Sequence, residues 1–120
     1  MSILDRFRLT GKRLFITGGS RGLGREMALA IADAGADVIL VGREPESLDA
    51  TAADIRALGR DCLVIPGDVG VPEECERVCR QALEQRPVID ILINNVGGRR
   101  INIPLAEQTL EQWRQILDLN

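Results

Sequence analysis

The chain has 120 residues, of which 45% are hydrophobic and 28% charged, and a formal net charge of −3. That balance fits one folded domain of modest size and excludes a disordered tail. Lys and Arg are scattered without a basic stripe, no apolar run is long enough for a bilayer, and Met1 to Thr10 breaks its few apolar residues with charges, so the expectation is a cytoplasmic chain that binds neither nucleic acid nor membrane.

The predicted elements alternate along the chain. Arg13 to Thr17 (RLFIT) is a short apolar run of strand length, followed by a helical pattern with apolar residues at Leu23, Met27, Ile31 and Ala34 and with Gly35 as its C-cap. Asp37 to Val41 (DVILV) is the second strand, and Leu48, Ala52 and Ile55 mark a second helix that ends at Gly59. Cys62 to Pro66 (CLVIP) is the third strand. Pro72 suits the first turn of a third helix, Glu73 and Glu74 suit its positive end, and Cys75, Val78, Cys79, Ala82 and Leu83 form its apolar stripe. Ile89 to Asn94 (IDILIN) is the fourth strand, and Gly97 to Pro104 reads as a loop. A last helix follows, capped by Thr109 and Gln112, with Trp113, Ile116, Leu117 and Asn120 on one face. Runs that are apolar throughout suit strands buried on both faces, and repeated strand–helix–strand units predict a layered α/β domain with a parallel sheet.

The chain contains no His and no Tyr. A Ser-His-Asp triad, a Cys-His pair and most zinc sites are thereby excluded, and no metal site is expected. Three cysteines, Cys62, Cys75 and Cys79, make an odd count without an export signal, which argues against a disulfide framework. Cys75 and Cys79, four apart on the third helix, have the spacing for a metal or redox pair, but their place on its apolar stripe favours buried core thiols.

The sharpest local signal follows the first strand: Thr17-Gly18-Gly19-Ser20-Arg21-Gly22-Leu23-Gly24, directly before the first helix. A tight glycine turn lets backbone N–H groups approach a pyrophosphate, and the amino end of the helix adds partial positive charge in the same place. No Lys-Ser/Thr pair follows, so the turn is not that of a P-loop nucleotidase. A dinucleotide site is the better reading, although such glycines also serve close strand-to-helix packing.

Taken together, three motifs resemble those of the short-chain dehydrogenase/reductase family. The glycine turn is similar to its TGxxxGxG cofactor motif, Asp68-Val69 after the third strand to its adenine-contacting pair, and Asn94-Asn95-Val96-Gly97 to its NNAG, with Val96 in place of the commoner Ala. The stretch Asn94 to Arg100 is also similar to gluconate 5-dehydrogenase-like members. The resemblance runs from about Leu9 to the last residue and implies a Rossmann-like parallel sheet with flanking helices, cut off after the fourth strand and the helix that follows it. It also implies reversible hydride transfer between a nicotinamide dinucleotide and a small-molecule alcohol or ketone. Thr17, Gly18, Ser20, Arg21, Gly22, Leu23, Gly24, Arg43, Asp68, Val69, Asn95 and Gly97 are the expected cofactor-binding residues.

Asn120 is similar to the catalytic Asn of the family, whose backbone helps hold a proton-relay water, although a frayed chain end is the simpler reading here. The Ser and the Tyr-x-x-x-Lys motif of the family have no counterpart, and the lone Lys12 cannot replace the missing Lys. The expectation is an amino-terminal cofactor half, inactive by itself. The alternative is a non-catalytic dinucleotide-binding or structural interaction module.

Cofactor choice turns on the end of the second strand, where a carboxylate would bind the ribose hydroxyls and an Arg would accept a 2′-phosphate. Arg43 there, with Arg21 in the glycine turn, suits a phosphate clamp, so NADP(H) is expected over NAD(H), while Glu44 next door could instead reach a ribose hydroxyl. An apolar fourth strand at the sheet edge further predicts self-association or a homo-oligomer.

Overall fold

In the computed structural model, which describes residues 1–97 and 102–119, four strands alternate with four helices. The strands are β1 (Arg13–Thr17), β2 (Asp37–Gly42), β3 (Cys62–Pro66) and β4 (Ile91–Ile93); the helices are α1 (Gly22–Asp33), α2 (Pro45–Ala57), α3 (Pro72–Gln85) and α4 (Leu110–Leu119). The strands pair in parallel in the order β3-β2-β1-β4, which makes a Rossmann-like α/β sheet. The chain winds outward from β1 to β3 and then returns to pair β4 with the free side of β1. Two 3-10 turns, Ile3–Phe7 and Leu105–Glu107, are too short to carry a periodic signal and escape the sequence pattern.

Alternation along the strands explains why their runs are apolar throughout. Leu14, Ile16, Val38, Leu40 and Cys62 point to one face and pack with Ala28 and Ala32 of α1 and Leu48, Ala52 and Ile55 of α2. Phe15, Ile39, Val41 and Ile65 point to the other and pack with Val78 and Ala82 of α3. Each large aliphatic side chain removed from water in this way contributes about 1.5–3 kcal/mol before entropy is counted. Gly35 and Gly59, at φ +113° and +82°, follow the last residues of α1 and α2 in the left-handed region, as their expected capping role requires. The Thr109–Gln112 capping box also forms: the Thr109 N–H donates to Gln112 Oε1 at 2.9 Å and the Gln112 N–H to Thr109 Oγ1 at 3.2 Å.

Three local expectations need correction. The buried line of α1 is Gly24, Ala28 and Ala32, whereas Met27 and Ile31 only flank the core and Leu23 is 71% exposed. The helix lies so close to the sheet that only small residues fit between them. On α3, only the line through Val78 and Ala82 reaches the sheet, so Cys75 is half-buried and Cys79 exposed rather than core thiols, and Leu83 is exposed too. Cys62 alone is buried, and burial pushes its thiol up to about 11. β4 is shorter than the run Ile89 to Asn94, because side-chain acceptors enter the pairing at both of its ends. The Asp90 carboxylate accepts the Arg13 N–H at 2.9 Å, and the Asn95 N–H turns aside to the Thr17 hydroxyl.

Candidate functional site

A cleft of about 360 Å³ opens at the carboxyl ends of the strands. The strand order reverses there, between β1 and β4, which is where open α/β sheets bind ligands. Its walls come from four loops: Gly18, Ser20 and Arg21 after β1; Arg43 and Glu44 after β2; Gly67, Asp68 and Val69 after β3; and Asn95, Val96 and Gly97 after β4.

The glycine turn owes its shape to contacts that no side chain would permit. Gly18 has φ +72°, and a Cβ there would stand 2.8 Å from Asn95 Nδ2. A Cβ on Gly24 would lie 2.9 Å from the Gly18 carbonyl carbon and closer still to its oxygen. A Cβ on Gly22, at φ +58°, would meet nothing within 4 Å among the described residues, so the amino end of α1 is open there. Among the described residues, the N-cap residue Arg21 makes no side-chain capping bond, and the first turn holds no acidic residue, in contrast to Glu46 on α2 and Glu73 and Glu74 on α3. Among the described residues the positive pole of α1 thus has no acidic residue in its own first turn, which fits an anionic group such as a pyrophosphate.

Beneath the turn, the buried Thr17 hydroxyl accepts the N–H groups of Asn95 at 3.1 Å and Val96 at 3.3 Å. The Asn95 side-chain amide donates to the Gly18 carbonyl at 3.2 Å, so this residue joins β4 to the glycine turn instead of satisfying its own backbone. Sequence reasoning missed a second tie. Thr51 of α2 is fully buried; its hydroxyl accepts from Arg25 Nη1 at 3.0 Å, and its one proton lies within reach of two carbonyls, Ser47 in the same helix at 3.2 Å and Ser20 of the glycine turn at 3.3 Å. Arg25 also pairs with Asp54. The available signal was a hydroxyl residue in register with the apolar positions Leu48, Ala52 and Ile55.

Asp68 combines two roles. Its Oδ1 accepts the Gly70 N–H at 2.9 Å, an Asx-turn contact, while the residue also borders the cleft with Val69. At the opposite rim, Arg21 Nη1 lies 4.0 Å from Glu44 Oε1, and Glu44 Oε2 accepts the Ser47 hydroxyl at 3.2 Å. Arg43 is exposed and makes no ion pair among the described residues.

Of the residues expected to bind a cofactor, Gly18, Ser20, Arg21, Arg43, Asp68, Val69, Asn95 and Gly97 border the cleft. Thr17 and Gly24 lie beneath the turn, and Gly22 and Leu23 begin α1 without lining the cleft. Asn120, the candidate catalytic residue, lies outside the described residues. Leu119 of α4 joins the lining, a contact between elements distant in sequence that no motif marks. No helix among the described residues is long and apolar enough to cross a membrane.

Residues 12–120 match the short chain dehydrogenase family. An uncharacterized oxidoreductase of Mycobacterium tuberculosis is 46% identical over 107 residues, which cover 89% of this chain and 41% of that protein. A short-chain type dehydrogenase/reductase from Mycobacterium marinum superimposes with a TM-score of 0.90 at 36% identity, over 99% of this chain and 48% of the other. Two further solved structures carry different cofactors. The Pseudomonas aeruginosa RhlG/NADP active-site complex is 31% identical with a TM-score of 0.79, over 94% of this chain and 42% of the other. Carveol dehydrogenase from Mycobacterium avium in complex with NAD is 28% identical with a TM-score of 0.84, over 92% of this chain and 44% of the other. The chain thus spans less than half the length of these relatives. With its parallel sheet, its glycine turn and a family match over nearly its whole length, this chain belongs to the short-chain dehydrogenase family.

Proposed function

We propose that the cleft binds a nicotinamide dinucleotide, NADP(H) in preference to NAD(H), for an oxidoreductase that interconverts an alcohol and a ketone. The observation that carries this reading is the amino end of α1, with no acidic residue in its own first turn, on the same cleft as Arg21 and Arg43. When bound, the nicotinamide supplies or accepts the hydride.

The residues of this chain bind and orient. The N–H groups of the glycine turn and the first turn of α1 would hold the pyrophosphate, and Gly18 and Gly24 let the turn, α1 and Asn95 pack closely enough to present them. Arg21 and Arg43 hold the 2′-phosphate by charge-assisted hydrogen bonds. Asp68 and Val69 border the adenine, and Thr17 and Asn95 fix the floor by stitching β1 to the segment after β4. The family resemblance assigns Asn120 a part in proton relay through its backbone. The 120 residues include no Tyr, so we expect them to bind cofactor without turning over substrate.

Titration of the chain with NADPH and NADH tests the reading. Loss of a charge-assisted contact is worth about 1.5–3 kcal/mol, so NADPH should bind roughly tenfold or more tightly than NADH, and Arg43→Glu should abolish that preference. Failure to bind either nucleotide would refute the dinucleotide site, and equal binding of both would refute the NADP(H) preference.

A further inference from the structure

Away from the cleft, α3 carries two thiols that the core does not use. Cys75 and Cys79 are four residues apart on one helix and so share a face, but α3 reaches the sheet through Val78 and Ala82 instead. Cys75 is half-buried and Cys79 exposed, and the exposed apolar residues Val71 and Leu83 continue their row at the same spacing on either side. Partial desolvation raises the Cys79 thiol above its ordinary value, and the Cys75 thiol beside it raises it further, by charge and by hydrogen bonding. Cys62 cannot join the pair, because it packs on the opposite face of the sheet. Among the described residues no three Cys, Asp or Glu side chains gather as for a metal ion, so the pair offers two sulfur ligands and no more.

Helix geometry decides what such a pair can do. Cβ atoms four residues apart on a helix stand about 5–6 Å apart, whereas a disulfide needs them at about 3.5–4.5 Å. A direct bond between Cys75 and Cys79 would distort the turn that separates them, but one atom placed between the two sulfurs spans the gap with the helix intact. We propose that Cys75 and Cys79 form a chelating site for a soft centre that is satisfied by two thiolates, of the class of monosubstituted trivalent arsenicals. The step is a condensation without redox change: R–As(OH)2 and two thiols give R–As(S-Cys)2 and two waters. Two As–O bonds break, two As–S bonds form, each thiol proton leaves with a hydroxyl group, and arsenic stays trivalent. The third bond of arsenic is to carbon, so no third thiol is needed, and the row through Val71 and Leu83 offers the organic group an apolar flank. Inorganic arsenite, which calls for a third thiolate, and Zn2+, which calls for four ligands, fit the pair less well.

The probe is phenylarsine oxide, which hydrates to the dihydroxy form, titrated into the reduced full chain and followed by intact mass and by thiol accessibility in the folded state. A one-to-one adduct should form, shield both accessible thiols and leave the helical circular dichroism in place. Cys75→Ser and Cys79→Ser each leave one thiol of the pair and should weaken binding by about a hundredfold or more, because the second As–S bond no longer closes intramolecularly. The double variant Cys79→Ser with Arg80→Cys keeps the thiol count but turns one thiol off the shared face, and it should bind like the single-serine chains. Both altered positions are exposed, so these chains should fold as the parent does. Arsenite should bind more weakly than phenylarsine oxide. An adduct that shields one thiol only, an affinity unchanged in Cys79→Ser or in the shifted pair, a loss of helix on binding, or arsenite bound as tightly as phenylarsine oxide would overturn the proposal.

Discussion

Gly24→Ala tests the close approach that shapes the cleft, because two physical effects of opposite sign compete there. Gly24 lies inside α1, where Ala is favoured over Gly by about 1 kcal/mol on helix propensity alone. Against this, the added Cβ would lie 2.9 Å from the Gly18 carbonyl carbon and overlap both the carbonyl oxygen and the Asn95 side-chain amide. The first obstacle is backbone and cannot rotate away. The helix would have to withdraw from the β1 turn, with a packing cost of about 1–3 kcal/mol or more. The Asn95 contact to the Gly18 carbonyl, 3.2 Å long, would be strained or lost, at about 1 kcal/mol. The balance is a net loss of roughly 1–3 kcal/mol, read as a lower urea midpoint by circular dichroism with the slope unchanged. Gly22→Ala is the control, since its Cβ meets nothing and only the left-handed φ of +58° opposes it, at about 1–2 kcal/mol. A Gly24→Ala chain as stable as the wild type, or more stable, would refute the argument, because propensity alone would then decide the outcome.

Other consequences can be measured on the same chain. Thr51→Val keeps the volume but removes the hydroxyl that accepts from Arg25 and is shared between the Ser47 and Ser20 carbonyls, so thermal unfolding should show a loss of about 1–3 kcal/mol; an unchanged melting temperature would count against that role. The Asp61 carboxyl is held below the usual carboxylate range, chiefly by its hydrogen bond from Arg86 at 2.8 Å, partly opposed by desolvation. Its stabilising effect is therefore present above pH about 4 and is lost as pH falls through the lowered native value. Arg86→Gln should cost under about 1 kcal/mol at pH 7, because the pair is partly exposed, and progressively less as the pH falls below about 4; a deficit that does not change with pH would contradict this assignment. Leu92 of β4 and Leu110, Trp113 and Leu117 of α4 are 60%, 64%, 45% and 58% exposed, so sedimentation should show concentration-dependent association, and a monomer at high concentration would refute it.

How much of this was legible in the sequence follows from where each contact is made. The limits of β1 and β3 and nearly all of β2 could be read directly, because strands covered on both faces must be apolar at every position. The run Ile89 to Asn94 overextends β4 because the Asp90 carboxylate and the Asn95 N–H, at and just beyond its margins, bond to the Arg13 N–H and the Thr17 hydroxyl of β1. The buried face of α1 was misread for a different reason: Gly24, Ala28 and Ala32 carry little hydrophobic signal, yet close packing selects them over Met27 and Ile31. Within the cleft, the motif spacing marked the loops after β1, β3 and β4. The ties between α2 and the glycine turn, Thr51 to Ser20 and Glu44 to Arg21, join residues far apart in the chain, and no local pattern reveals them.

The most direct test of the dinucleotide site is a map of backbone amide shifts in the isotopically labelled chain during titration with NADPH. A saturable response centred on Gly18 to Gly24, Arg43, Asp68 and Asn95 is expected, with NADH causing the same pattern at higher concentration. Shifts confined to another surface, or none at saturating NADPH, would contradict it.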